Sequence, residues 1–279
     1  MRPRKTMKSF AIALSVLSLS VYSASSATVF QSGGSGTTYT DVLGDGQGSA
    51  NLLRDLSFAT ISNDAANLYF TIGINPAGNL ATGGNFNYGI GITTGSPTAG
   101  GDTSANAVTH GNPYNRAISI DSSFGGMTDW IGIFGAGGSG TAGSPFTSYG
   151  YNDYAWNTNG ASLTWSKINQ VNSGQPLNIA SNAVTITVPL SDFASNLALT
   201  PGTTFYFDIY STGTSAGQTA YDSLVVQGNI QTTFSATAQY NGTVLNSYTI
   251  TAVPEPTTLA LAGLAGFSLM FLRRHTKRS

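Results

Sequence analysis

The chain has 279 residues, of which 8% are charged and 41% hydrophobic, with 34 glycines and no cysteine. Glutamate occurs once, at Glu255, so the solvated faces of a helical bundle cannot be built, and without cysteine neither a disulfide framework nor a thiolate-bound metal is available. The net charge of −1 hides a segregation: between the termini only Arg54, Arg116 and Lys167 stand against 11 aspartates, which leaves no basic footprint for nucleic acid.

The N-terminus reads as a secretory signal peptide over residues 1–27. Arg2, Arg4, Lys5 and Lys8 precede an apolar run at 10–21, and Ala24-Ser25-Ser26-Ala27 supplies the small residues of a cleavage site after Ala27. The run is too short, and ends in too many small residues, to be read as a permanent anchor.

Residues 28–252 are expected to form one exported domain. Its segment Asp41-Val42-Leu43-Gly44-Asp45-Gly46 places Asp41 and Asp45 beside glycines, a composition that suits either a solvated turn or oxygen ligands for Ca²⁺. The spacing and closing Glu of an EF-hand are missing. Short runs with period-two alternation follow, and alternation of this kind marks half-buried strands. At 67–74, Leu68, Phe70, Ile72 and Ile74 alternate with Tyr69, Thr71 and Gly73. Val184, Ile186 and Val188 alternate with threonines, and Phe205, Phe207 and Ile209 with Tyr206, Asp208 and Tyr210. Further strands are expected at 56–61, 86–92, 117–120, 130–134, 149–156, 162–168, 223–226 and 247–251, with glycine-rich loops at 32–36, 95–101 and 135–143. Asp64, after Asn63, reads as a turn residue bonding its own backbone. So many short strands with frequent turn signals predict an all-β, antiparallel β-sandwich of jelly-roll-like form.

The densest aromatic segment is Tyr149-Gly150-Tyr151-Asn152-Asp153-Tyr154-Ala155-Trp156. Flat rings interleaved with Asn and Asp suit sugar recognition, so Tyr149, Tyr151, Tyr154 and Trp156 are candidate glycan contacts, with Trp130 and Trp165 as further ones. Alternate rings filling a core is the plainer alternative. On a regular strand Tyr149 and Tyr151 share one face and Tyr154 and Trp156 the other. Catalytic readings find little to build on. His110 is the sole histidine before the tail, no Gly-x-Ser-x-Gly elbow is present, and clustered zinc ligands are absent. A non-catalytic domain is therefore expected, with a polysaccharide hydrolase using an Asp pair as the alternative.

The C-terminus is the most specific part of the sequence. Val253-Pro254-Glu255-Pro256 precedes an uncharged apolar run at 257–272, and Arg273, Arg274, Lys277 and Arg278 follow. The run is helix-compatible and slightly short for a span, and the basic residues behind it orient the body outward by the positive-inside rule. This order at 253–279 resembles the PEP-CTERM sorting signal. The resemblance implies an exosortase as processing partner, with Pro254, Glu255 and Pro256 as its recognition motif and a transient inner-membrane tether. It also implies delivery to the cell surface or extracellular matrix of a diderm bacterium that makes exopolysaccharide.

The body carries a second, looser likeness. Asp55-Leu56 leading to Ile61-Ser62-Asn63-Asp64 and Asn67-Leu68-Tyr69-Phe70, then 184–188, Pro189-Leu190-Ser191-Asp192-Phe193 and Pro201-Gly202-Thr203-Thr204-Phe205, resemble family-nine carbohydrate-binding modules and their DOMON-like relatives. That likeness implies a sandwich; it carries over no ligand residue.

Overall fold

A computed structural model describes residues 36–45, 52–80, 85–103, 116–136, 148–157, 164–172, 177–180, 182–194, 196–213, 218–226 and 240–252. The chain divides into two units, 1–31 and 32–279. The leader with Ala27, the loop carrying His110, and the tail with its apolar run lie outside the described residues.

The described residues form strands β1 (Thr37–Thr40), β2 (Leu56–Asn63), β3 (Asn67–Ile74), β4 (Phe86–Thr93), β5 (Ile118–Ile120), β6 (Asp129–Ala136) and β7 (Ser148–Asn157). They continue with β8 (Thr164–Asn172), β9 (Leu177–Ile179), β10 (Ala183–Pro189), β11 (Thr204–Thr212), β12 (Ala220–Ser223), β13 (Tyr240–Gly242) and β14 (Asn246–Thr249). Two single 3₁₀ turns, Ser122–Phe124 and Leu190–Phe193, complete the set. One antiparallel sheet has the order β1-β2-β3-β10-β9, and the other β12-β11-β4-β6-β7-β8, with β14 also paired to β11. Neighbours β3 and β10 of the first sheet lead directly along the chain into β4 and β11, which are neighbours in the second. A paired ribbon thus passes from sheet to sheet, as in a jelly roll.

Alternation decides which side chains enter the space between the sheets. Leu68, Phe70, Ile72 and Ile74 of β3 and Val184, Ile186 and Val188 of β10 share one buried cluster with Phe86, Tyr88, Ile90 and Ile92 of β4 and Phe205, Phe207 and Ile209 of β11. The opposite parity of the first sheet carries hydroxyls. Thr38 pairs with Thr60 at 2.8 Å and Thr71 with Thr185 at 2.9 Å, cross-strand contacts made without charge.

The second sheet is covered on its other face as well. Ile118, Ile120, Met127, Trp130, Tyr210, Ala220 and Tyr240 form a separate buried cluster there, under the parallel pair β5–β13. Trp130 stacks on Tyr210 at 6.0 Å and lies against β4 at Gly89, where a Cβ would fall 2.2 Å from its ring. Glycine is required at that point by space. Beneath this layer Asp208 is wholly buried, and its Oδ2 accepts from Ser223 Oγ and Tyr240 OH, each at 2.7 Å. The bond to Tyr240 pins β13 onto β11.

The strands expected at 67–74 and 184–188 and the sandwich itself are present. Three expectations require correction. The strand placed at 223–226 is β12, Ala220–Ser223, because Tyr210 and Ser211 of β11 pair with Ser223 and Asp222, and the chain bends away at Leu224. Gly135 and Ala136, assigned to a loop, pair with Tyr149 and Ser148 inside the sheet. Strands β1, β9 and β13 were not expected; each is three or four residues long and held by a longer or neighbouring strand.

Burial raises the Asp208 carboxyl to about 7, against the partial relief its hydrogen-bond donors give. Unfolded Asp208 ionises near pH 4, so between about pH 4 and 7 only the folded state retains the proton, and stability falls as pH rises through that window. The melting temperature of the wild type is expected to drop from pH 4.5 to 7.5, and that of Asp208→Asn to drop less. Equal slopes would mean that this carboxyl is already ionised in the fold.

Candidate functional site

The four aromatic candidates of β7 separate as strand parity requires. Tyr151 points between the sheets, fully buried, and donates from its hydroxyl to Thr187 O at 2.8 Å. Trp156 is also buried; its Nε1 donates to Gly100 O, and its ring meets Trp165 at 5.3 Å. Neither offers a ring face to a ligand, and Trp130 is sealed under β5–β13. The side chain of Tyr149 lies outside the described residues.

Tyr154 and Trp165 remain, both half-buried on the outer face of the β7–β8 hairpin. The Lys167 ammonium lies 5.5 Å from the Tyr154 ring centroid, and Trp165 Nε1 donates to Asp102 Oδ2 at 3.0 Å. A bulge between Asp153 and Tyr154 shifts the register here and brings Tyr154 opposite Lys167. Strand β8 is the sheet edge, and Ser166, Lys167, Ile168 and Gln170 along it are exposed. The result is an aromatic patch flanked by the exposed Lys167 and Gln170, with the buried Asp102 fixing the Trp165 ring from beneath.

Asp41 and Asp45 are likewise more enclosed than a solvated turn: Asp41 is half-buried and Asp45 buried. Sequence spacing alone could not show that Asp222, 177 positions after Asp45, completes the group. One carboxylate oxygen from each of the three lies within 4.8 Å of the others. Asp55 shapes the turn, accepting from Gly44 N through both oxygens at 2.9 and 3.0 Å, while Asp222 Oδ2 accepts from Leu56 N at 2.6 Å. Burial first, then the neighbouring carboxylates, raise Asp41 to about 7 and Asp222 to about 8. These all-oxygen donors from two separate parts of the fold are of the kind that could hold Ca²⁺.

The last described residues before the tail are held by Asn63, at the end of β2. Its Oδ1 accepts from Tyr248 OH at 2.9 Å and from Thr251 N and Oγ1 at 3.0 Å each, and its Nδ2 donates to Thr251 O at 3.0 Å. Asp64 beside it accepts from Ala66 N and Asn67 N at 2.7 Å, the self-bonded turn expected from sequence, and from Tyr69 OH. Removing the Asn63 amide leaves several buried groups without partners. Asn63→Ala is expected to lower stability by roughly 3 kcal/mol in denaturant unfolding, and Asn63→Asp to rescue little because it cannot donate to Thr251 O. A loss below about 1 kcal/mol would show that this clamp does not hold the C-terminal strand.

Among the described residues no helix is long and apolar enough to cross a membrane. No curated protein and no solved structure matches the chain. The match that is found covers residues 252–274 and is to the PEP-CTERM protein-sorting motif. It spans the Pro254-Glu255-Pro256 motif and the apolar run, implies a C-terminal transmembrane segment, and begins one residue after the Asn63 clamp ends. No comparison bears out the likeness of the body to family-nine modules. The chain thus carries at its C-terminus a PEP-CTERM protein-sorting motif, the signal of an exported protein that an exosortase processes.

Proposed function

We propose that the body is a non-catalytic display domain, held at the inner membrane by the tail, processed by an exosortase, and presented at the cell surface or in the matrix to bind exopolysaccharide. The observation that carries the binding reading is the half-buried Tyr154–Trp165 patch on the edge hairpin, with the exposed Lys167 and Gln170 beside it. Rings of this kind cover the C–H face of a sugar while charged and amide groups reach its hydroxyls. The patch lies half-buried on the edge hairpin of the sheet, which fits weak, repeated contact with a polymer.

Support for a non-catalytic reading comes from the aspartates. A hydrolase needs two carboxyl groups on either side of a bond in a cleft. Asp129 and Asp153, which sit on neighbouring strands, are both about 1% exposed and closed to any polysaccharide. Asp41, Asp45 and Asp222 converge on one point and leave no room between them for a sugar ring.

Two measurements test these readings. On a glycan array, Trp165→Ala is expected to weaken binding of the exported protein roughly tenfold, and Tyr154→Ala to do the same, with the fold unchanged by circular dichroism. Retained binding in both variants would remove the patch from the function; no binding by the wild type, together with self-association of the protein, would favour an adhesive role. In cells, Glu255→Ala is expected to accumulate full-length precursor in the membrane. Normal tail removal and surface delivery of that variant would overturn Glu255 as the recognition residue.

A further inference from the structure

The end of the sandwich that leads into the tail carries a groove of about 430 Å³. Connections between strands form its walls: the β2–β3 turn at Asp64, the turn Leu190–Phe193 with Ala194 after it, the segment at 198–201, and Ile250-Thr251 after β14. Backbone bonds fix them to one another. Leu190 N donates to Ala66 O, Gly202 N to Ile250 O and Ile250 N to Thr203 O, each at 2.8 Å. The floor is the end of the apolar core, since Leu199 and Ile250 belong to the cluster between the sheets and Leu190 packs against it. Ala194, Ala198 and Pro201 are exposed where they line the groove.

This groove differs in kind from the patch on the β7–β8 hairpin. Among the described residues no aromatic ring lines it, so it has nothing to lay against the face of a sugar. Nor does a basic side chain line it; the charge present is the Asp64 carboxylate, which already accepts from Ala66 N and Asn67 N at 2.7 Å. An anionic lipid surface is therefore not attracted to it. An apolar concavity with a polar rim is the form that seats apolar anchor side chains of a protein partner.

Its place along the chain says which partner. Thr251 lines the groove, the sorting motif begins at residue 252, and Pro256 is five residues beyond Thr251. At ~3.6 Å per residue, five residues reach no farther than about 18 Å even when fully extended. A folded domain of roughly 100 residues already has a radius of gyration of about 13 Å. An enzyme that takes the motif into its site thus meets this end of the sandwich, and the groove is continuous with the surface that the exosortase uses. We propose that the groove is a second contact for the exosortase, seating apolar side chains of the enzyme's outward-facing surface while its active site takes the Pro254-Glu255-Pro256 motif. The contact rests on exosortase processing of the tail and is independent of glycan binding at Tyr154 and Trp165. It acts by keeping motif and active site together, since one anchored contact raises the effective concentration of the other.

The test follows tail removal from the full-length precursor, in cells and by purified exosortase in detergent micelles. Ala194→Arg and Ala198→Arg bring a long charged side chain to the groove without removing a core atom, so the melting temperature is expected to hold. Each is expected to slow tail removal roughly tenfold. A semi-rigid (EAAAK)4 spacer between Ala252 and Val253, roughly 30 Å long where helical, takes the groove out of reach. It is expected to slow the wild type to a similar rate and to make the arginine substitutions silent. Full-rate processing of the folded arginine variants would overturn the contact, as would full-rate processing of the spaced wild type. Arginine variants that remain slower than the wild type when both carry the spacer would overturn it too, because the loss would then lie outside the groove. If an arginine variant melts lower, the spaced wild type decides alone. Other occupants give other results, each of them against the proposal. Faster processing of the arginine variants assigns the groove to Val253-Pro254 of the chain itself, an effect in cells that vanishes in micelles assigns it to the bilayer, and an effect that grows with precursor concentration assigns it to a second copy. Glu255→Ala supplies the unprocessed reference; a wild type that stays at that level with exosortase present would overturn the sorting assignment along with the groove.

Discussion

Phe70, Ile72 and Ile74 from one sheet are buried in a single apolar cluster with Phe205, Phe207 and Ile209 from the other, and every other feature inherits its position from that packing. A strand side chain has two directions, and a slip of one residue exchanges them all. Once β3 and β11 commit their odd or even residues to the interior, the partners paired with them have no freedom left. That is why Tyr151 is sealed in the interior while Tyr154, three residues on, lies half-buried on the outer face. The same parity sends Asp129 and Asp153 inward and lays threonines in pairs along the outer face of the first sheet.

A body almost without basic residues meets this geometry in an unusual way. Most domains answer an inward carboxylate with an arginine or lysine; here the answers are of other kinds. Asp208 has two hydroxyl donors and uses them to hold β13 against β11. Asp55 and Asp222 take backbone amides and so shape the turn at Gly44 and the start of β2. Asp129 and Asp153 have neither. Charge scarcity therefore ranks the acids by what meets them: hydroxyls, amides, or burial alone.

Much of the sandwich was legible because alternation is a local property. Leu68 to Ile74 and Val184 to Val188 announce both their strand type and their inward face. The strand at Ala220–Ser223 was misplaced since Leu224, Val225 and Val226 are more strand-like than Asp222 and Ser223, and only the pairing with β11 decides between them. The second buried layer was illegible for a deeper reason. Gly89 carries no pattern, yet it is the space that Trp130 needs, and Tyr240 meets Asp208 across 32 positions. In the same way Asp41 and Asp45 could be noticed as a pair, but Asp222 joins them only through the fold. The tail needed no fold at all, since its three parts are read along the chain.

The Asn63 clamp sets how much slack separates domain from handle. Its last bond is to Thr251, and the sorting motif starts at the next residue. An enzyme that recognises Pro254-Glu255-Pro256 thus acts only three to five residues along the chain from a backbone held by a single asparagine, so the footing of the cargo and the reach of its processing signal share one short stretch of sequence.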